Sequence, residues 1–129
     1  MIFQGRKIAP GRADGEALVT SMGISFYGGV DPETGKVVEK GHTLEGESIA
    51  GKVLVFPTGK GSTVGSYTLF RLKKAGNAPA AILNAESETI TAVGCIISGI
   101  PCVDHLPIEK IMTGNQIRVD AESAKVEIL

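Results

Sequence analysis

The chain has 129 residues, with 13 basic and 14 acidic side chains and a formal net charge of −1. This length predicts a single domain over residues 1–129. The balanced charge argues against nucleic acid as the partner, because neutralising many phosphates needs a basic surplus. The longest nearly apolar run, residues 93–103, is shorter than the roughly 20 residues that span a bilayer. The first residues lack the apolar region of a secretory signal, so we expect a cytoplasmic protein without membrane contact.

Glycine punctuates the chain, with 17 residues that divide short apolar segments from one another, which is typical of a sheet-rich fold. In the first half the pattern predicts strands over residues 4–10, 16–21 and 36–38, with an extended segment over 23–30. The series Asp31-Pro32-Glu33-Thr34-Gly35 predicts a turn, because proline fixes φ and glycine accepts a positive φ.

The second half begins with a continuous apolar run over residues 52–57, the pattern of a strand buried on both faces. A helix is predicted over 64–75, with basic residues in its last turns and Gly76 after its end. Further predictions are a strand over 80–83, a helix over 88–95, a strand over 100–103 and a hairpin of 116–120 with 125–128. Buried strands on either side of a helix predict a βαβ crossover. We therefore expect an α/β fold, a mixed β-barrel or sandwich with flanking helices.

The cysteines and histidines do not form a metal site in the sequence. Cys95 and Cys102 are not a CxxC pair, and His42 and His105 do not complete a zinc spacing. Structural zinc needs about four ligands, and an iron–sulfur cluster usually takes three or four thiolates. We expect no metal or cofactor bound by this chain alone, and two reduced, buried thiols.

The loop Gly59-Lys60-Gly61-Ser62-Thr63 lies between the buried strand and the first long helix. Ligands of α/β folds bind beyond the carboxyl ends of strands, where a helix start presents free N–H groups. Lys60 adds a positive charge, and glycines allow a close backbone approach. These features predict an anion site, but Ser62 could equally be an ordinary helix cap. The spacing is neither that of a P-loop nor that of a nucleophile elbow.

Three other segments are weaker candidates. Glu86 and Glu88 follow one predicted strand, and Asp104-His105 follows another, so each pair is either functional or part of a solvated loop. The segment 28–32 is turn geometry or helps to shape a site. His42 is expected to be exposed or to cap a turn.

Four sequence blocks occur in order: GEALV, SFxGGVDPxTG, GKVLVxPxGxGSxxGS and APAAI. With these blocks the chain resembles the small, swivel-domain subunit of the aconitase X family over roughly residues 5 to 105. The resemblance implies a swivelling β/β/α domain like the mobile fourth domain of aconitase. It also implies a heterodimer whose large subunit carries a [4Fe–4S] cluster and most of the substrate pocket.

The resemblance further implies a hydro-lyase, in which the iron of the large subunit polarises a leaving hydroxyl. In archaeal members the reaction converts (R)-5-phosphomevalonate to trans-anhydromevalonate 5-phosphate in isoprenoid synthesis by the mevalonate pathway. The family's proton acceptor falls on Ser62, with Lys60, Gly61 and Thr63 expected to bind the anionic substrate. Relatives often carry arginine at the position of Lys60, and lysine supplies charge without the bidentate fork.

Two alternatives stay open. Bacterial relatives dehydrate cis-3-hydroxy-L-proline and are often fused to their large partner, so the extent of this chain favours phosphomevalonate. The chain could instead be a non-catalytic, anion-binding regulatory module that uses the same loop only to hold its ligand.

Overall fold

The computed structural model describes all 129 residues. The strands are β1 (Ile2–Gln4), β2 (Arg6–Ala9), β3 (Arg12–Val19), β4 (Val53–Phe56), β5 (Ala81–Asn84), β6 (Cys102–Asp104), β7 (Gln116–Asp120) and β8 (Lys125–Ile128). They form one mixed sheet in the order β1-β8-β7-β3-β4-β5-β6-β2. Strands β3 to β6 pair in parallel, and the remaining pairs are antiparallel.

The two edges of this sheet meet, since β1 and β2 lie at opposite ends of the strand order and only Gly5 separates them in sequence. Gly5 has no room for a side chain, because a β-carbon there would overlap the carbonyl oxygen of Asp104. Its N–H donates to the carbonyl of Ala124 (2.8 Å). The sheet therefore curls into a barrel whose edges are joined through one residue.

Two apolar cores lie on the two faces of the parallel strands. In β4, Leu54 and Phe56 face a core shared with the helices, whereas Val53 and Val55 face a core closed by β7 and β8. All four side chains are fully buried, which explains why this strand reads as a continuous apolar run rather than an alternating one.

Helices α2 (Val64–Lys74) and α3 (Thr89–Ser98) cover the first core. At the end of α2, Gly76 has φ +77°, its N–H donates to the carbonyl of Lys73, and the N–H of Asn77 donates to that of Leu72. This Schellman arrangement is the helix end that the sequence predicted. None of the helices has the length and hydropathy that a membrane-spanning helix requires.

The α/β prediction is confirmed, as are the turn at 31–35 and the terminal hairpin of β7 and β8. Other boundaries were wrong. Residues 4–10 do not form one strand, because pairing to β8 and β6 divides them. Strand β3 begins four residues before the predicted Glu16, and residues 36–38 form only single bridges. Segment 23–30 is interrupted by a tight turn, labelled α1 (Phe26–Gly29), in which Tyr27 and Gly28 do not have helical backbone angles, and α3 continues to Ser98.

Candidate functional site

The loop between β4 and α2 is held against the segment that precedes α1. The Lys60 N–H donates to the carbonyl of Ile24 (2.9 Å), and the Ile24 N–H donates to that of Thr58 (3.4 Å). Gly59 is buried, while residues 60–63 are exposed. The loop therefore has a fixed base and presents its polar side chains to solvent at the carboxyl end of β4.

Ser62 lies one residue before the N-cap of α2. The N-cap is Thr63, whose side chain makes no capping bond, while Ser62 Oγ accepts the N–H of Val64 (3.1 Å). The serine hydroxyl thus receives one of the free N–H groups at the helix start, where the helix dipole favours negative charge. This contact suits both a local turn and an oxygen that carries negative charge.

Lys60 and Gly61 each lie close to a residue from earlier in the chain. The Lys60 ammonium lies 3.4 Å from Glu39 Oε2, and its side chain is half exposed. An anionic ligand at Lys60 would have to share the lysine with this carboxylate. Gly61 has φ +103°, and a β-carbon there would overlap Ser25 Oγ. Ser25 therefore belongs to the same site.

Tyr27, just before the segment 28–32, lies beside the first turn of α2. The Tyr27 nitrogen is 3.8 Å from the position of a β-carbon on Gly65. An open groove of about 290 Å³ follows, lined by Tyr27, Gly28, Val30, Asp31, Pro32, Val38, Thr68 and Arg71. A second groove, of about 330 Å³, lies between α2 and α3 and is lined by Thr63, Ser66, Tyr67, Thr89, Ile90, Val93 and Ile97.

Asp104 is structural. Its buried carboxylate accepts two hydrogen bonds from Arg6 (2.9 and 2.7 Å) and one from the Ser87 N–H (2.8 Å). Burial alone would raise the pKa of Asp104, but these hydrogen bonds and the positive charge of Arg6 lower it below its usual value. Glu86 and His105 form an exposed pair beside it (3.0 Å), so this end of the sheet is an ion-pair network.

Glu88 is not a solvated loop residue but the N-cap of α3. Its carboxylate accepts the N–H groups of Ile90 (2.8 Å) and Thr91 (2.6 Å). It also lies next to Gly59 at the base of the loop.

His42 and the two cysteines lie in the interior. His42, expected to be exposed or to cap a turn, is buried and makes a capping contact: Nδ1 accepts the Leu44 N–H (3.1 Å), which leaves Nε2 to donate to the carbonyl of Gly23 (3.1 Å). Cys95 and Cys102 have no exposed surface, as predicted. A hydrogen bond between the thiols, together with burial, raises the pKa of Cys95 well above its ordinary value, so the thiol stays protonated.

Sequence reasoning found the loop but missed Ser25 and Glu39, which reach it from a segment far away in sequence. The one available signal was the order of blocks, since Ser25 begins the SFxGGVDPxTG block. The assembled site combines an exposed hydroxyl at a helix start, a lysine and a glycine-bracketed backbone. It is suited to binding a small anion and, if the hydroxyl is activated, to moving a proton.

A curled mixed sheet that carries such a loop before its longest helix defines a swivel-type α/β domain. The aconitase X swivel domain family matches residues 2–128, so the chain belongs to that family.

Similar proteins in archaea extend over the whole chain. A protein of Thermococcus kodakarensis named phosphomevalonate dehydratase small subunit is 56% identical over 129 residues, covering 100% of this chain and 97% of that protein. A protein of the same name from Methanocella arvoryzae is 53% identical and covers 99% of each chain. The crystal structure of Thermococcus kodakaraensis aconitase X in its holo-form superposes with a TM-score of 0.98 at 55% identity, covering 100% of this chain and 98% of that one.

Proposed function

We propose that this chain is the small subunit of a heteromeric hydro-lyase that removes water from (R)-5-phosphomevalonate to give trans-anhydromevalonate 5-phosphate. The observation that carries the proposal is the position of Ser62, whose oxygen accepts the Val64 N–H at the start of α2 within the family's loop. Relatives about half identical to the whole chain bear the name of this activity, which supports phosphomevalonate over cis-3-hydroxy-L-proline.

The step assigned to this chain is proton removal. Loss of water breaks a C–H bond next to the carboxylate and a C–O bond on the neighbouring carbon, and a C=C bond forms between them. A hydrogen beside a carboxylate is weakly acidic, so a strong base is needed. A serine alkoxide is strong enough, and hydrogen bonding to its negative oxygen lowers the pKa of the hydroxyl. The Val64 N–H and the dipole of α2 favour that charge, and Lys60 is the cation of the same loop.

Lys60, Gly61 and Thr63 are assigned to substrate binding. The half-exposed Lys60 ammonium is available to an anionic group that shares it with Glu39. Gly61 leaves the backbone bare at a positive φ, so a ligand can approach it closely.

The residues of this chain do not fit an iron–sulfur cluster. Cys95 and Cys102 are its only cysteines, and both lie in the core without exposed surface. The [4Fe–4S] cluster is therefore proposed for the large subunit, and no step at the cluster is assigned to the residues described here.

The proposed contact with the large subunit surrounds the loop, at residues 28–31 and 59–63. Substrate held between two subunits requires that both face it. Exposed apolar side chains adjoin the loop, including Tyr27, Val64 and Tyr67, and apolar surface of this kind marks association sites.

The test is co-purification with the large subunit encoded by the same genome, followed by anaerobic assays on (R)-5-phosphomevalonate and cis-3-hydroxy-L-proline. We expect a stable complex that turns over only the first substrate. Turnover of the hydroxyproline alone would reassign the substrate. A complex inactive on both, with its cluster intact, would favour a non-catalytic anion-binding module and refute the proposed function.

A further inference from the structure

The carboxylate of Glu88 is fixed by three donors at the start of α3. Oε1 accepts the Thr91 N–H and the Thr91 hydroxyl (both 2.6 Å), and Oε2 accepts the Ile90 N–H (2.8 Å). Helix N-caps are usually Ser, Thr, Asp or Asn, so a shorter aspartate would serve capping alone. The additional methylene of glutamate therefore calls for another explanation.

The explanation is the contact with Gly59, whose α-carbon faces the Glu88 carboxylate. A β-carbon on Gly59 would lie 2.5 Å from Glu88 Oε1 and 3.2 Å from its Cδ, and would overlap the Thr91 hydroxyl. The φ of Gly59 is not among the positive values in this chain. Glycine is thus required here for space and not for backbone conformation.

The segment 84–91, which includes Glu88, also holds Phe56 and Pro57, two residues that precede the loop. The Asn84 side-chain amide donates to the carbonyl of Phe56 (3.0 Å). The N–H groups of Ala85 and Glu86 both donate to that of Pro57 (3.1 Å each). The segment 84–91 therefore contacts the chain at Phe56, Pro57 and Gly59 in order, and Ser62 follows three residues later.

We propose that Glu88, held by Thr91, is a positioning residue for the reaction. Its carboxylate fixes the position of the Gly59 backbone and, through the loop, the position of Ser62. This inference rests on the proposed function. Glu88 acts through the backbone and touches neither substrate nor cofactor. A displacement of about 1 Å at a reacting group can cost about 100-fold in rate, so small changes in this contact reach the chemistry.

The experiment is a variant cycle in the reconstituted complex with (R)-5-phosphomevalonate. Gly59→Ala adds a methyl group against the carboxylate, and we expect kcat to fall about 100-fold with little change in KM. Glu88→Asp with Thr91→Ala removes the atoms that the methyl would strike, while aspartate still caps α3. In that background, we expect Gly59→Ala to cost less than tenfold. Glu86→Asp, on the same segment but paired with His105, is the control and should leave kcat unchanged.

Equal kcat losses from Gly59→Ala in the two backgrounds would overturn the positioning role, provided that the parent complex is active. Glu88→Asp alone provides the test if the double variant does not fold. We expect it to lower kcat about tenfold at a nearly unchanged melting temperature. A kcat equal to that of the parent would reduce Glu88 to a helix cap. An inactive parent complex would instead refute the proposed function, and this inference with it.

Discussion

The hydroxyl of Ser25 occupies the space that a β-carbon on Gly61 would need. Ser25 also donates a hydrogen bond to the carbonyl of Tyr27 (3.1 Å), so its own position is constrained. Together these contacts hold one side of the loop against the segment before α1. The contact between Gly59 and Glu88 holds the other side against α3. The loop that carries Ser62 is therefore held between two parts of the fold and does not depend on the start of α2 alone.

Gly61→Ala should lower turnover more than it lowers stability. The substitution places a methyl group against Ser25. It also puts alanine at a positive φ, which strains the backbone by about 1–3 kcal/mol. Gly46→Ala is the matched control, because Gly46 also has a positive φ (+84°) but no atom lies within 4 Å of its added methyl. We expect similar losses in melting temperature and a large fall in kcat for Gly61→Ala only. Equal kcat values would remove Gly61 from the site.

Lys60→Ala should raise KM for the phosphorylated substrate, with a smaller decrease in kcat. The reason is that a cation which holds the ground-state anion contributes to binding before it contributes to the chemical step. Lys52→Ala is the control, since Lys52 forms a comparable surface pair with Glu16 (3.1 Å) away from the loop. Steady-state kinetics on both variants decide the matter. An unchanged KM for Lys60→Ala would exclude contact with the anion.

Asp104→Asn should destabilise the chain at neutral pH, and the difference should shrink in acid. The folded-state pKa of Asp104 is lowered below the ordinary 3.8, so its contribution is complete above that pH and is lost as pH falls through the folded value. At pH 7 we expect a cost of about 2 kcal/mol, modest because Arg6 is half exposed. Urea unfolding between about pH 7 and pH 3 measures it.

The control for Asp104 is Asp14→Asn, because Asp14 and Arg118 form an exposed pair (3.3 Å) that should matter little. A cost for Asp104→Asn that is independent of pH would mean that the ion pair with Arg6 does not stabilise the fold.

Tyr67→Glu should weaken association with the large subunit. Tyr67 lines the apolar groove between α2 and α3, so glutamate at this position puts a charge into that groove. Met112→Glu is the control, since Met112 has the same 69% exposure but lies in the segment before β7. Calorimetric titration of the large subunit should show weaker binding for Tyr67→Glu alone. Equal affinities would move the proposed contact away from α2.

The sequence predicts elements whose determinants are local. The apolar run of β4 and the Gly76 end of α2 were predicted because burial and helix capping determine the types of residues that are adjacent in sequence. Division of residues 4–10 was not predictable, because it depends on pairing with β6 and β8 from the far end of the chain. The same is true of the site: the Gly59–Thr63 loop has a local pattern, whereas Ser25, Glu39 and Glu88 reach it only through the fold.

The most direct test of the proposed base is kcat for a complex that contains Ser62→Ala, measured together with its melting temperature and cluster content. Loss of the proposed base should lower kcat by several orders of magnitude with little effect on KM or assembly. Loss of a local turn contact should cost only about 1 kcal/mol of stability, and Ser48→Ala is the control, because Ser48 Oγ accepts the Ala50 N–H (3.3 Å) in the same way but away from the loop. We predict the first result; near-normal turnover in a slightly less stable complex would contradict the catalytic role of Ser62.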